Sequence, residues 1–493
     1  MKIMKNMIFW LAILASMLNA ADQKSIWSWE SGPYTPGFRL LEMLDYSRFY
    51  PDNQEEGRSV RPICVHIWYP AKKTARTPMK LKEYVQASTL PVQLSKGLGQ
   101  VELQELMERP TKAIRDADYA EGTFPVLIIG QGLYYESPFS HVVLCEFLAS
   151  HGYIVATCPL LGTHYRLVNL SVPDLETEIR DLEFVIGTVR GHIQVTAGSL
   201  GVIGYDLGGM AGLILSMRNP SIKAFLSLDA GILFGHSSGL PNSHPDYQEK
   251  NFTIPWMHMT QARFIKTFRD ERGISTLVDR KSFGDSYLVH VPTDNHGEFT
   301  SYTMFGLEDA LPGYWGSWKT EASQRYNMIC HNILAFFDAY LKKDFIFLEK
   351  LKIHQMQERS LLKMEYKRGQ QAPPSESELV HTIIRQGINE ARSVIEDARN
   401  AHPDSILISE NVLNWLGYHF LYWWAREEEV LEVFQLNVWL YPDSANAYDS
   451  LGEAYLIFGD IESAIKCYKK SLELDPQNTN ATEQLKRLIK QKK

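Results

Sequence analysis

Val202-Ile203-Gly204-Tyr205-Asp206-Leu207-Gly208-Gly209 is the stretch on which the fold of this chain turns. An apolar run of strand length, 200–206, ends at Asp206, and helical spacing opens at once over 209–217. Glycine, any residue, a central residue, any residue, glycine, set between a strand and a helix, is the pattern of a nucleophile elbow. The glycines permit a strained turn and close helix–strand packing. Such a turn lifts the central side chain clear of the sheet and aims the next backbone N–H, that of Leu207, at a reacting oxygen. The central residue here is Asp206.

Outward from the elbow, apolar runs of strand length recur at 124–130, 153–159, 224–229, 254–259 and 287–291. Leu175, Ile179, Leu182, Ile186 and Val189 hold helical spacing between two of them. A further helix is expected over 321–342. Continuous apolar strands alternating with amphipathic helices predict an α/β domain with a parallel sheet covered on both faces. Such sheets carry their chemistry at the carboxyl ends of the strands. Three features stand there besides the elbow. Gly130-Gln131-Gly132-Leu133 is a turn that can offer the Leu133 N–H to a developing oxyanion. Asp229 ends the strand after the elbow, and His296 follows the last strand. The chain holds 15 histidines, so position and not identity singles out His296. His258, within a strand, reads as packed, and His236 and His244 fall in a loop. Tyr134, Tyr135 and Trp256 could line an apolar pocket. Segments 232–252 and 262–282 are expected to lie over the site and set substrate size.

The first residues carry a processing pattern. Lys2 and Lys5 precede an apolar run, 8–18, and Ala20 and Ala21 are small residues where cleavage would fall. A signal peptide over 1–21 is expected, giving an exported protein, periplasmic or secreted. At 493 residues, 45% hydrophobic and 22% charged, the chain reads as more than one globular domain. A net charge of -8 offers no basic footprint for nucleic acid. The mature sequence has no run apolar and long enough for a transmembrane segment. The five cysteines Cys64, Cys145, Cys158, Cys330 and Cys467 fit no zinc or redox spacing, and buried free thiols are expected. No metal and no organic cofactor is called for.

Gln370-Gln371-Ala372-Pro373-Pro374-Ser375 reads as a linker. The expected organisation is a sheet domain over 22–350, a linker over 351–376 and a helical tail over 377–493. The tail repeats itself. Leu416-Gly417 recurs 35 residues on as Leu451-Gly452, and Pro442 recurs 34 residues on as Pro476. Tyr448, Leu451, Gly452, Tyr455, Ala464, Tyr468 and Pro476 resemble the tetratricopeptide repeat, with a first copy that carries Glu429 at a small position. Residues 378–403 form a weaker candidate unit. Tyr422, Trp423, Trp424 and Trp439 read as solenoid core. Repeats of this kind stack into concave surfaces that bind protein segments, so a protein partner is expected through the tail.

The sheet domain resembles the platelet-activating-factor acetylhydrolases and dienelactone-hydrolase-like esterases of the α/β-hydrolase superfamily. The resemblance runs over about residues 30–345. Its matching segments are Gly32-Pro33-Tyr34, Arg61-Pro62 with Trp68-Tyr69-Pro70-Ala71, the 122–133 stretch, Leu148-Ala149-Ser150-His151-Gly152-Tyr153, the elbow and Ser227-Leu228-Asp229. It implies an acid at Asp229, a base at His296 and oxyanion N–H groups at Leu133 and Leu207, acting on a small-molecule substrate. The family has serine or cysteine where this chain has Asp206. The elbow itself is similar to the G-x-D-x-G-G elbow of haloalkane dehalogenases and epoxide hydrolases. Against that match, Leu207 replaces an aromatic N–H donor and the oxyanion turn lacks a His-Gly-x-Pro pattern.

A carboxylate attacking an ester gives a mixed anhydride, whereas at saturated carbon it is a competent nucleophile. Three functions follow. The chain hydrolyses small ester-like substrates through a modified site; or Asp206 acts on an alkyl halide or epoxide; or the domain is inactive and binds a ligand or protein. If Asp206 and Asp229 flank His296, the two carboxylates should favour the imidazolium and raise its pKa.

Overall fold

The computed structural model describes residues 30–51, 58–88, 100–133, 137–164, 166–192, 195–234, 239–305, 321–346, 349, 362–403, 406–423 and 427–491. The expected signal segment, Tyr134, Tyr135, His236 and Trp424 lie outside them. The chain divides into two compact units, Met1–Gln371 and Ala372–Lys493.

The first unit is built on a ten-stranded sheet in the order β10-β9-β8-β7-β6-β4-β5-β2-β1-β3. Six strands form its parallel centre: β9 (Ser286–Val291), β8 (Trp256–Gln261), β7 (Ile222–Leu228), β6 (Val195–Tyr205), β4 (Phe124–Gly130) and β5 (Ile154–Thr157). The long hairpin of β1 (Thr35–Pro51) and β2 (Arg58–Ala71) extends one side, with β2 antiparallel to β5. Two-residue β3 (Ile114–Arg115) pairs with β1. The six apolar runs anticipated from the sequence are these central strands. Alternate residues of each run feed opposite faces, as the pleat requires. Leu127, Ile129, Ile203 and Leu226 pack beneath the helices Val142–Ser150 and Ala322–Leu341. Val126, Ile128, Val202 and Phe225 pack beneath Val172–His192 and Leu207–Arg218. Ile329, Ile333, Phe336 and Phe337 of the closing helix are buried, each stabilising the fold by about 1.5–3 kcal/mol.

The stretch 351–376 is not simply a linker. Its residues Lys363–Lys367 form β10, which pairs antiparallel with β9 as the edge of the sheet. Sequence offers little warning, because Lys363-Met364-Glu365-Tyr366-Lys367 is polar and short. What holds it are the ladder to β9 and the Arg269–Glu365 pair at 2.7 Å. The first unit accordingly closes at Gln371 rather than near residue 350.

The second unit is helical throughout its described residues. Helix pairs Glu376–Gln386 with Ile388–Ala401, Glu410–Tyr422 with Glu427–Leu440, and Ala445–Ile457 with Ile461–Leu474 precede a last helix, Thr479–Gln491. Ser375 and Glu378 form a capping box at the first start, and Ser444 and Asp460 cap two later ones. Gly417 and Gly452 let the paired helices approach: a Cβ on Gly417 would lie 2.6 Å from the Phe434 ring. Tyr422 and Trp423 are not core; they are 60% and 78% exposed. Trp439 is partly buried against the core, with Arg392 and Arg399 over its ring. All five cysteines are free and buried. No helix among the described residues is long and apolar enough to cross a membrane.

Candidate active site

β6 delivers Asp206 to the carboxyl end of the sheet, and Leu207 opens the helix behind it. Asp206 has φ 49° and ψ -113°, a conformation that L-residues avoid. Such a backbone costs about 1–3 kcal/mol and persists only where neighbours enforce it. Here they do: Asp206 N–H donates to Leu228 O at 3.1 Å and Gly208 N–H donates to Gln131 O at 2.8 Å. The helix packs so closely on β4 that a Cβ on Gly208 would lie 2.2 Å from the Gly130 carbonyl carbon. The glycines of the elbow are thus required by contact.

Asp206, Asp229, His296 and Leu133 all meet at this turn. Asp229 follows β7 with φ 45°, its N–H on Met259 O at 2.7 Å. Its Oδ2 lies 2.7 Å from His296 Nδ1. Thr260 Oγ donates to Asp229 Oδ1 at 2.8 Å, and Gln261 donates to the carboxylate from both its backbone N–H and its Nε2. His296 sits at the start of the short turn His296–Phe299, which Asn295 caps through its side chain. The Tyr205 ring stacks on the imidazole at 4.6 Å, and its hydroxyl donates to His296 O at 3.1 Å. His296 Nε2 faces Asp206 Oδ1 at 4.0 Å, beyond direct hydrogen bonding.

Of the two backbone donors anticipated for an oxyanion, Leu133 is already engaged. Leu133 N–H donates to Asp206 Oδ2 at 2.9 Å, and the Leu207 N–H acts on the same carboxylate more weakly. One oxygen of Asp206 therefore occupies the place where a substrate oxyanion would sit, and the other faces His296.

Burial raises the Asp206 carboxyl above its ordinary pKa, against the lowering effects of His296 and the Leu133 and Leu207 N–H groups. Burial would raise Asp229 too, but hydrogen bonds from His296, Gln261 and Thr260 overcome it and hold this carboxyl low. Burial would lower His296; the hydrogen bond and charge of Asp229, with the charge of Asp206, reverse that and raise it. This is the direction expected of an imidazole between two carboxylates.

Trp256 does not line a pocket. It is wholly buried, and its indole N–H donates to Ser227 Oγ at 2.9 Å. His258 is packed in the same layer, on Ser227 Oγ at 2.7 Å. Within the 232–252 insertion, His244 meets Glu176 at 3.1 Å, and Asp246 meets Arg218 at 3.0 Å, at the opposite end of the elbow helix from Asp206. Glu176, His244 and Asp246 bring potential metal-ligand atoms together, but Arg218 also donates to Glu176, so the cluster already holds a cation. Sequence reasoning missed Tyr205, Thr260 and Gln261. The two polar residues ending β8 were the available signal, since strand ends are where such sheets place chemistry.

A family model for the tetratricopeptide repeat matches residues 445–478, so the tail contains at least one such repeat. Among solved structures, the ferulic acid esterase from Streptomyces cinnamoneus is similar, with a TM-score of 0.50 and 20% identity over 64% of this chain and 93% of that one. That likeness is one of fold: the first unit has an α/β-hydrolase-like architecture. No curated protein matches the sequence.

Proposed function

We propose that the first unit is a hydrolase that uses Asp206 as a carboxylate nucleophile at saturated carbon. The observation that carries this reading is the Leu133 N–H on Asp206 Oδ2 at 2.9 Å, with Oδ1 turned to His296. An ester substrate finds the Leu133 donor for its oxyanion taken by the enzyme's own carboxylate. An alkyl halide or epoxide needs no such donors in the first step.

The Oδ1 lone pair bonds to carbon as the bond to the leaving group breaks, and the electron pair departs on the halide or on the epoxide oxygen, which takes a proton from water and leaves hydroxide to the solvent. The product is an alkyl ester of Asp206. Its carbonyl oxygen is Oδ2, already held by the Leu133 N–H. Water then attacks Cγ while passing a proton to His296 Nε2, and negative charge gathers on Oδ2 where the N–H donors hold it. The Cγ–Oδ1 bond breaks, and the alcohol leaves with Oδ1 and the proton from His296. Asp229 keeps the imidazole oriented and Nδ1 protonated, so that Nε2 is the basic nitrogen. Esterification also removes the Asp206 charge, one of the two that raise His296, so the base is released at the step that needs it.

The decisive experiment is trapping. With a short alkyl bromide and an aryl epoxide as probes, His296→Ala should accumulate an alkyl adduct on Asp206, found by peptide mass spectrometry. In a single wild-type turnover in heavy-oxygen water, the label should enter Asp206 and not the alcohol. No adduct with either probe, or label appearing in the alcohol, would overturn the reading.

The tetratricopeptide tail supports a protein partner for the second unit. We further infer export to the periplasm or medium from Lys2, Lys5, the apolar 8–18 run and Ala20-Ala21. N-terminal sequencing of the mature chain checks it; an intact Met1 would refute it.

A further inference from the structure

Behind the oxyanion turn lies a second carboxyl group, to which the chemistry above gives no part. Glu178, on the helix Val172–His192, is 3% exposed. Its Oε1 accepts the Gln131 N–H at 3.2 Å. Among the described residues, its Oε2 is buried with no hydrogen-bond partner, and so is Oε1 of Gln131. The groups that face Glu178 are Asp181 from its own helix, Arg61 from β2, Cys158 after β5 and Asp206 from the elbow. Both nearby cations are committed elsewhere: Arg48 from β1 pairs with Asp181 Oδ1 at 2.7 Å. Arg61 gives Nε and one Nη to Asp181, and its Nη groups also reach Gly162 O and Leu161 O. An ionised Glu178 would hold its charge on one neutral N–H among acidic neighbours, a placement that proteins avoid.

We propose that Glu178 is a positioning residue that carries a proton, bracing the Gln131–Leu133 turn with Oε1 and donating from Oε2 to a buried acceptor, Gln131 Oε1. A single proton would then satisfy two buried oxygens that otherwise lack partners among the described residues. Burial, with the charge of Asp181 beside it, moves this carboxyl in the same direction, well above the ordinary range. The brace reaches the nucleophile in two steps. Gln131 is pinned at its N–H by Glu178 and at its carbonyl by Gly208 N–H, and two residues on, Leu133 N–H fixes Asp206. A neutral Glu178 also keeps a second negative charge away from Asp206, which must ionise to act. What the turn serves rests on the carboxylate-nucleophile reading; the proton on Glu178 does not.

The test uses the full chain and the variants Glu178→Gln and Glu178→Ala, with no turnover required. At pH above the ordinary carboxylate range, the wild type must take up a proton at Glu178 to fold, whereas glutamine is neutral at every pH. Linkage therefore predicts that Tm of Glu178→Gln minus Tm of wild type grows as pH rises from about 5 to about 8, by about 3 °C or more. A difference that is flat or shrinks would mean an ionised, stabilised Glu178 and would sink the proposal. Hydrogen exchange reads the brace itself. The Leu133 amide should exchange about tenfold faster in Glu178→Ala and keep its protection in Glu178→Gln. Equal protection in all three would remove the positioning role. If the alanine variant does not fold, the glutamine comparison still decides the protonation. Both readouts survive a failure of the adduct experiment, so the two proposals fall separately.

Discussion

Leu133 N–H donates to Asp206 Oδ2 at 2.9 Å, so the backbone group that this architecture offers to a substrate oxyanion is spent on the elbow's own side chain. A serine has no second oxygen with which to do this. Under the proposed reading, aspartate at the elbow changes more than the attacking atom: it also takes up the N–H that an ester's oxyanion would need. It also fixes which oxygen of Asp206 is free, because Oδ1 is left facing His296 at 4.0 Å.

Asp206→Ser should therefore empty the hole and restore ester chemistry. The hydroxyl would stand at the same elbow, with His296 held by Asp229 and the Leu133 N–H released. The expected outcome is hydrolysis of short-chain aryl esters by the variant, at least about a hundredfold above the wild type, the scale of a regained oxyanion hole. A folded variant with no esterase activity would show that the scaffold lacks more than the serine.

His296 supplies the pH test. Its imidazole is raised by Asp229 and Asp206 together, against burial. Asp206→Asn removes one charge and leaves the shape. The midpoint of the His296 ring, followed by imidazole NMR, should lie above the free-histidine value in the wild type and fall in Asp206→Asn. An unchanged midpoint would mean that Asp206 does not act on the ring. Turnover should rise with pH for two reasons of the same sign. Alkylation needs Asp206 ionised although burial raises it, and hydrolysis needs His296 neutral although Asp229 raises it.

Much of the site was legible because it is written in spacing. The Gly204, Gly208 and Gly209 pattern, the strand-length run before it and the position of His296 after the last apolar run follow from rules of close approach and strand order. What sequence could not supply was where each donor is directed. Leu133 and Leu207 were placed by residue number, but nothing in the residue types says that Asp206 turns back to occupy them. Gln261 and Thr260 were invisible for a related reason: a polar residue at a strand end gains meaning only from the carboxylate beside it. β10 failed differently. Lys363–Lys367 alternates only Met364 and Tyr366 with charged residues, too short a pattern to stand out, and pairing with β9 makes it a strand. Tyr422 and Trp423 were misjudged because an aromatic in a repeat reads as core until the neighbouring helix is placed.

Gly208 is the elbow residue that tolerates least. A methyl group there would meet Gly130 backbone at 2.2 Å and 2.3 Å, and backbone cannot rotate aside. Gly208→Ala should cost about 3 kcal/mol in urea unfolding, the upper range for overpacking. A loss below about 1 kcal/mol would show that the helix can shift from β4. In that case the Leu133–Asp206 contact should loosen, since Gly208 N–H also holds Gln131.

The turn that carries His296 is anchored from the closing helix. Arg325 donates from Nε and Nη2 to Glu298 Oε2 at 3.0 Å and 2.9 Å, and the two side chains are only 4% and 1% exposed. Removing Arg325 takes a guanidinium away from the buried Glu298 carboxylate. Arg325→Met should therefore lose about 3–5 kcal/mol in urea unfolding. The double variant with Glu298→Gln should recover part of that loss, because the carboxylate that Arg325 faces is then neutral. The recovery separates ion pairing from simple packing, since a packing defect at residue 325 would persist in the double variant. If the pair also positions His296, two residues from Glu298, the single variant should slow breakdown of an Asp206 adduct more than its formation. Equal slowing of both steps would place the effect on the fold as a whole and not on the base.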